Sequence, residues 1–179
     1  GLRVPLLAAL LAERSGPQCL FVVTATGREA EAVRSAFTCT VPDAEVLEFP
    51  AWETLPHERL SPSAQTVGTR IATLRTLAAW QDADPADRRP VVVVASVRAA
   101  LQPIAGNLTS LAPVVLRTDS RGNDLAGIAA QLVDLAYARV DLVTRRGEFA
   151  VRGGILDVFP PGADHPVRVD FFGDEVDQI

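Results

Sequence analysis

The sequence predicts an α/β chain: a layer of parallel strands and helices, followed by a small α+β domain with an antiparallel sheet. Two observations carry this. Short apolar runs at Cys19–Thr24 (CLFVVT) and Val91–Ala95 (VVVVA), with a further strand candidate at Glu45–Phe49, alternate with stretches of helical periodicity, the pattern of buried parallel strands joined by crossover helices. Beyond Pro113 the alternation gives way to one helical stretch and then to strand-like segments separated by tight turn residues, and such short connections favour antiparallel neighbours. The expected domains are therefore 1–112, completed by later residues, and 113–179, truncated.

Taken in order, Leu2–Arg14 carries apolar residues at helical spacing and stops at Gly16-Pro17. The apolar run from Cys19 reads as a buried strand, with Cys19 a small core residue. A helix over about Arg28–Phe37 leads to the strand Glu45–Phe49. Pro50–Pro62 is irregular and proline-punctuated. Gln65–Trp80 reads as a helix with Val67, Ile71, Leu74 and Leu77 on its apolar face. After Val91–Ala95, Ser96 caps a short helix through Arg98–Leu101. Val114–Arg117 reads as a strand, and Asp124–Tyr137 as a helix capped by Asn123, with Ile128, Leu132 and Leu135 inward. The last segments are Phe149–Val151, Ile155–Phe159 and Val167–Phe172, bounded by Gly147, Gly153-Gly154, Pro160-Pro161-Gly162 and Gly173.

Alternation divides the final strand into two faces. Val167, Val169 and Phe171 suit a core; Arg168, Asp170 and Phe172 point the other way. An aromatic beside a guanidinium is the composition of a protein–protein hot spot. The same pattern also fits Phe172 buried under a neighbouring element with Arg168 and Asp170 paired at the surface.

Composition narrows the function. The chain has 179 residues and a net charge of −5, a balance unsuited to sequence-independent binding of nucleic-acid phosphates. No apolar run approaches the roughly 18 residues of a membrane span. Cys19 and Cys39 lack metal-motif spacing, and a reducing cytoplasm is the expected compartment. With no Met and Gly1 first, the sequence reads as a piece of a longer polypeptide.

Most candidate chemistry is incomplete. The turn Thr24–Glu29 (TATGRE) stands where a phosphate loop would, between strand and helix. Such a loop needs a Lys for the terminal phosphates and a hydroxyl for Mg²⁺; here Arg28 and Glu29 follow the glycine, and the chain contains no Lys. An Asp-Glu pair for the metal is also missing after the apolar strands. His57-Glu58 lacks the second His of a zinc helix, His165 stands alone in a loop, and Ser96 lacks the G-x-S-x-G setting. Trp52 and Trp80 read as packing residues. Arg145, Arg146, Arg152 and Arg168 are interspersed with acids, which points to a protein partner. No catalytic residue, cofactor or metal site is expected.

FPAWETLPHERLSP (Phe49–Pro62), TVGTRIATL (Thr66–Leu74), VVVVASVRAALQP (Val91–Pro103), RRGEFAVRGGILDVFPPG and VRVDFFGDEVD together resemble the amino-terminal region of the bacterial transcription-repair coupling factor family, Mfd. The layout is also similar to domains 1A and 2 of the repair helicase UvrB. The resemblance implies a degenerate RecA-like helicase layer without ATPase motifs, and a second domain that binds UvrA through Arg152, Arg168 and Phe172. It further implies that RNA polymerase and DNA are engaged by other domains of a full-length translocase, with this surface masked by a carboxy-terminal domain. UvrB itself would carry an intact phosphate loop and a Tyr-rich hairpin, whereas this chain has TATGREAE and a single Tyr, Tyr137. A nucleotide- or DNA-dependent helicase fragment is the alternative, distinguished by stabilisation with ATP–Mg²⁺.

Overall fold

The structure, a computed structural model, describes residues 3–13, 18–54, 61–104 and 112–179. The chain divides into two compact units, Gly1–Thr109 and Ser110–Ile179. His57 and Glu58 lie outside the described residues.

Unit 1 runs α1 (Arg3–Glu13), β1 (Cys19–Thr24), α2 (Gly27–Thr40), β2 (Glu45–Phe49), α3 (Ala64–Asp82), β3 (Val91–Ser96) and α4 (Val97–Leu101). Its three strands form a parallel sheet in the order β1-β3-β2. The central strand β3 is buried along its whole length, which is why its four consecutive valines show no alternation. One face of the sheet packs on α1 and α2 through Leu11, Ala30, Phe37, Val92 and Val94. The other packs Phe49, Val91 and Val93 against Leu74, Leu77 and Trp80 of α3. Ser96 caps α4 by accepting from the Ala99 N–H, as its position after β3 predicts.

The sequence reading of β1 as a fully buried strand is corrected. It is an edge strand, and only its Leu20/Val22 face joins the core. Phe21 and Val23, on the opposite face, are 52% and 46% exposed, and Cys19 is exposed too. The apolar cluster around α3 draws on β2 and β3 and takes no residue from β1.

Helix α3 also departs from its sequence pattern. Its most deeply buried positions are Thr66, Arg70 and Thr73, polar residues that the apolar periodicity passes over. Arg70 is 2% exposed. Its guanidinium lies 4.0 Å from the Phe49 ring centroid and 4.2 Å from that of Trp52, and Nη1 donates to the Pro50 carbonyl at 2.7 Å. Burial pulls its pKa below the ordinary arginine value. The Thr73 hydroxyl donates to the Glu48 carbonyl at 2.6 Å. These bonds tie the end of β2 and the following turn to the helix.

Unit 2 contains α5 (Leu125–Asp134), β4 (Ala138–Arg139), β5 (Glu148–Arg152), β6 (Ile155–Val158), β7 (Val167–Phe172) and β8 (Glu175–Gln178). The five strands pair in sequence order. β5 to β8 are antiparallel, but the two-residue β4 joins β5 in parallel, so the sheet is mixed. Val114–Arg117 is not a strand. The chain after it instead runs along β8: the Asp119 N–H donates to the Val176 carbonyl and the Val176 N–H to the Ser120 carbonyl, at 2.8 and 2.9 Å.

Helix α5 is shorter than its apolar pattern and is capped by Asp124, whose carboxylate accepts from the Ala126 N–H. Asn123 does not cap the helix; its amide donates to the Ser120 carbonyl at 2.8 Å. The helix ends because Ala136 turns left-handed, at φ 64°, and the Tyr137 N–H bonds back to the Leu132 carbonyl at 2.9 Å. That 6→1 bond is a Schellman closure. Tyr137 then packs against the core of Ile128, Leu132, Phe149, Leu156, Val169 and Val176.

A candidate protein-docking face on the second sheet

Strand register decides what the outer face of the five-stranded sheet displays. Leu156 pairs with Val151 and Val169, and Val158 with Phe149 and Val167; these apolar rows pack inward with α5. The alternate rows face outward. One runs Ala150–Asp157–Arg168, the next Arg152–Ile155–Asp170. The three residues singled out from the sequence, Arg152, Arg168 and Phe172, therefore stand on one face of one sheet.

The tight turn between β5 and β6 sets this register. Gly153 adopts φ +61°, a left-handed conformation that costs other residues roughly 1–2 kcal/mol. Gly154 is required for space: a Cβ there would lie 2.7 Å from the Phe171 carbonyl oxygen. The Phe171 N–H donates to the Gly154 carbonyl at 2.7 Å. The turn is thereby pressed against the end of β7 that bears Phe172.

Both arginines converge on Asp157. Arg168, directly opposite it on β7, donates from Nε at 2.7 Å and from Nη2 at 3.0 Å. Arg152 reaches across from β5 and donates from Nη2 at 2.9 Å. Ala150, the β5 residue facing Asp157, has only a methyl group, which leaves room for this diagonal contact. The Arg168 hydrogen bond, followed by that from Arg152, holds the Asp157 carboxyl below the usual carboxylate range even though burial opposes it. The same bond raises the Arg168 guanidinium above its ordinary value. The Asp157 side chain is only 13% exposed, against 55% and 59% for the two arginines. Nothing in the residue pattern separates Asp157 from the other acids nearby; only the register does so.

Phe172 is 82% exposed, with Phe171 turned into the core in its place. The reading in which Phe172 is covered within this domain is thereby corrected. The register with β8 shifts between Asp170 and Phe171, and Phe172 pairs with Glu175 of β8. His165 is exposed in the loop before β7.

At the carboxyl ends of the unit 1 strands lies a crevice of about 350 Å³ lined by Thr26, Gly27, Trp52, Glu53, Ser96 and Arg98 among others. This is where open α/β sheets bind ligands. Here the helix terminus is already capped by its own sequence. Thr26 accepts from the Glu29 N–H at 3.2 Å, and the Glu29 carboxylate accepts from the N–H of Ala25, the residue before the cap, at 3.1 Å. Glu53, on the far side, accepts from the hydroxyls of Ser63, at 2.6 Å, and Thr66. Burial pushes the Glu53 carboxyl up, but these bonds outweigh it and leave it below its ordinary value. Among the described residues no cluster of His, Cys, Asp or Glu could hold a metal ion, and no helix is long and apolar enough to cross a membrane.

Unit 2 is thus a mixed sheet backed by α5, with Arg152, Arg168 and Phe172 displayed on its open face. Residues 117–179 match the family described as the UvrB interaction domain. The similarity of the whole chain is more specific. It is 52% identical to the transcription-repair-coupling factor of Mycobacterium tuberculosis over 97% of this chain and 14% of that protein. The identity is 34% with the factor of Escherichia coli, over 76% of this chain and 11% of that protein. The UvrABC system protein B of Agathobacter rectalis is 39% identical over 52% of this chain and 14% of that protein. The chain belongs to the transcription-repair-coupling factor family and spans about one-seventh of the length of its mycobacterial relative.

Proposed function

We propose that this chain is a non-catalytic recruitment module that brings UvrA to stalled RNA polymerase for transcription-coupled nucleotide excision repair. The observation that carries this reading is the outer face of the second sheet: Phe172, 82% exposed, beside two arginines gathered on one carboxylate. Phe172 serves as the buried anchor of the complex. Arg152 and Arg168 keep free N–H donors for charge-assisted bonds to acids of UvrA. The match of residues 117–179 to the UvrB interaction domain supports UvrA as the partner.

Unit 1 is read as a RecA-like layer that no longer handles nucleotides. Its parallel order and strand-end crevice support the likeness. The Glu29 carboxylate supports the loss, since it folds back onto the Ala25 N–H in the turn before α2, where its charge opposes a phosphate. The translocase activity, polymerase and DNA contacts, and masking of the docking face by a carboxy-terminal domain then belong to other parts of the full-length protein.

The test is calorimetric titration of the 179-residue chain with purified UvrA, wild type beside Arg152→Ala and Arg168→Ala. Saturable binding that falls at least about tenfold in each variant, with circular dichroism unchanged, is expected. Equal affinity in all three proteins would remove this face from the contact.

A further inference from the structure

We propose that Asp157 is a positioning residue of the docking face: one carboxylate, shared by guanidiniums from two strands, locks Arg152 and Arg168 into a single rigid donor unit for an acidic partner group. The proposal rests on the docking reading above and deepens it.

Asp157 and its two arginines come from three adjacent strands, β6, β5 and β7. Both Asp157 oxygens are engaged: Oδ1 by Arg168 Nε, and Oδ2 by Nη2 of both Arg168 and Arg152. The acid is sheltered while the guanidiniums reach into solvent. A free arginine at a surface loses rotamer freedom when it binds. Here that ordering has already taken place before a partner arrives. Arg168 is held side-on and Arg152 by one nitrogen, so each keeps N–H donors that Asp157 does not use. Two positive charges and one negative leave this three-residue unit net positive, with the Asp170 carboxylate in the next outward row acting on Arg168. The complementary group is a carboxylate, or a pair of them, accepting from both guanidiniums beside the pocket that takes Phe172.

Asp157 also competes for the arginines it holds, and the two effects predict opposite outcomes on its removal. If Asp157 only shields them, Asp157→Asn raises the charge of the face by one and strengthens attraction to an acidic partner. If it positions them, the same nearly isosteric change weakens binding despite the added charge.

The experiment uses the whole chain and reads two quantities. The first is UvrA affinity for wild type, Asp157→Asn, Arg168→Ala and the Asp157→Asn/Arg168→Ala double variant. The expected result is a loss of about fivefold or more in Asp157→Asn, with little further loss when Asn is introduced into the Arg168→Ala background, as coupled residues show. Unchanged or tighter binding by Asp157→Asn overturns the proposal. The second reading needs no partner: ¹⁵N relaxation of the Arg168 Nε–H in the unbound chain. Restricted motion in wild type and free motion in Asp157→Asn is expected; equal motion in both overturns the proposal whatever UvrA does. Should wild type fail to bind UvrA while the Nε–H is immobilised by Asp157, the UvrA assignment falls and the arginine clamp stands.

Discussion

Replacing Phe172 by Ala separates folding from docking. An exposed aromatic contributes little to the fold, so the variant should unfold within about 0.5 kcal/mol of wild type. Docking is a different matter. An aromatic side chain buries about 200 Å² when fully enclosed, and 82% exposure leaves most of that for a partner to cover. At ~25 cal/mol per Å², roughly 160 Å² of newly buried surface corresponds to about 4 kcal/mol. The alanine methyl recovers part of this, and ordering and imperfect fit take more. A loss of about 2 kcal/mol remains, or roughly 30-fold in Kd. The assay is calorimetric titration with UvrA, paired with urea unfolding of both proteins. A Phe172→Ala chain that binds UvrA with wild-type affinity would refute the anchor role. A drop in stability of about 2 kcal/mol or more would show instead that Phe172 is covered within the fold.

Three further outcomes test other parts of the structure. Gly154→Ala forces a methyl group to 2.7 Å from a backbone carbonyl oxygen, and a loss of about 1–3 kcal/mol is expected by chemical denaturation, as for other overpacked sites. Arg70→Ala gives up a charged hydrogen bond and two ring contacts, about 3 kcal/mol. Arg70→Met refills the slot and removes a buried charge but leaves the Pro50 carbonyl unpaired, so about 1 kcal/mol should be lost; a larger loss for Met than for Ala would contradict this packing argument. Because the native Asp157 carboxyl lies below its ordinary value, the unfolded chain binds more protons in acid. The stability that Asp157 confers is therefore full above the unfolded pKa of about 3.9 and drains away as pH falls through the native value. The stability gap between wild type and Asp157→Asn should accordingly be constant from about pH 8 to 5 and shrink in acid unfolding experiments.

Much of this fold was legible in the chain because the relevant physics is local. Cys19–Thr24 and Glu45–Phe49 begin and end as strands where the sequence pattern places them. The inward and outward residues of β7 follow from alternation alone. What escaped depends on segments far apart in sequence. An apolar run marks a strand without telling which faces are covered, so the open side of β1 was invisible. The buried slot for Arg70 is made by Phe49 and Trp52, which lie outside α3 and leave no trace in its periodicity. No glycine marks the end of α5, because Ala136 takes the left-handed position itself. In the candidate site, Arg168 and Phe172 were legible from strand alternation and Arg152 from a family pattern, whereas Asp157 emerged only from three strands in register.

The backbone along the outer side of β8 has consequences for how the second unit can meet another protein. Val176 already exchanges hydrogen bonds with Asp119 and Ser120, and the Asp174 carbonyl accepts from Asn123. A partner strand finds these groups spent, and cannot lengthen the sheet there through main-chain pairing. The docking proposed beside Phe172 therefore rests on side chains. Main-chain pairing tolerates almost any sequence; side-chain recognition does not. Single substitutions on this face can therefore abolish or redirect an association while leaving the sheet beneath it intact.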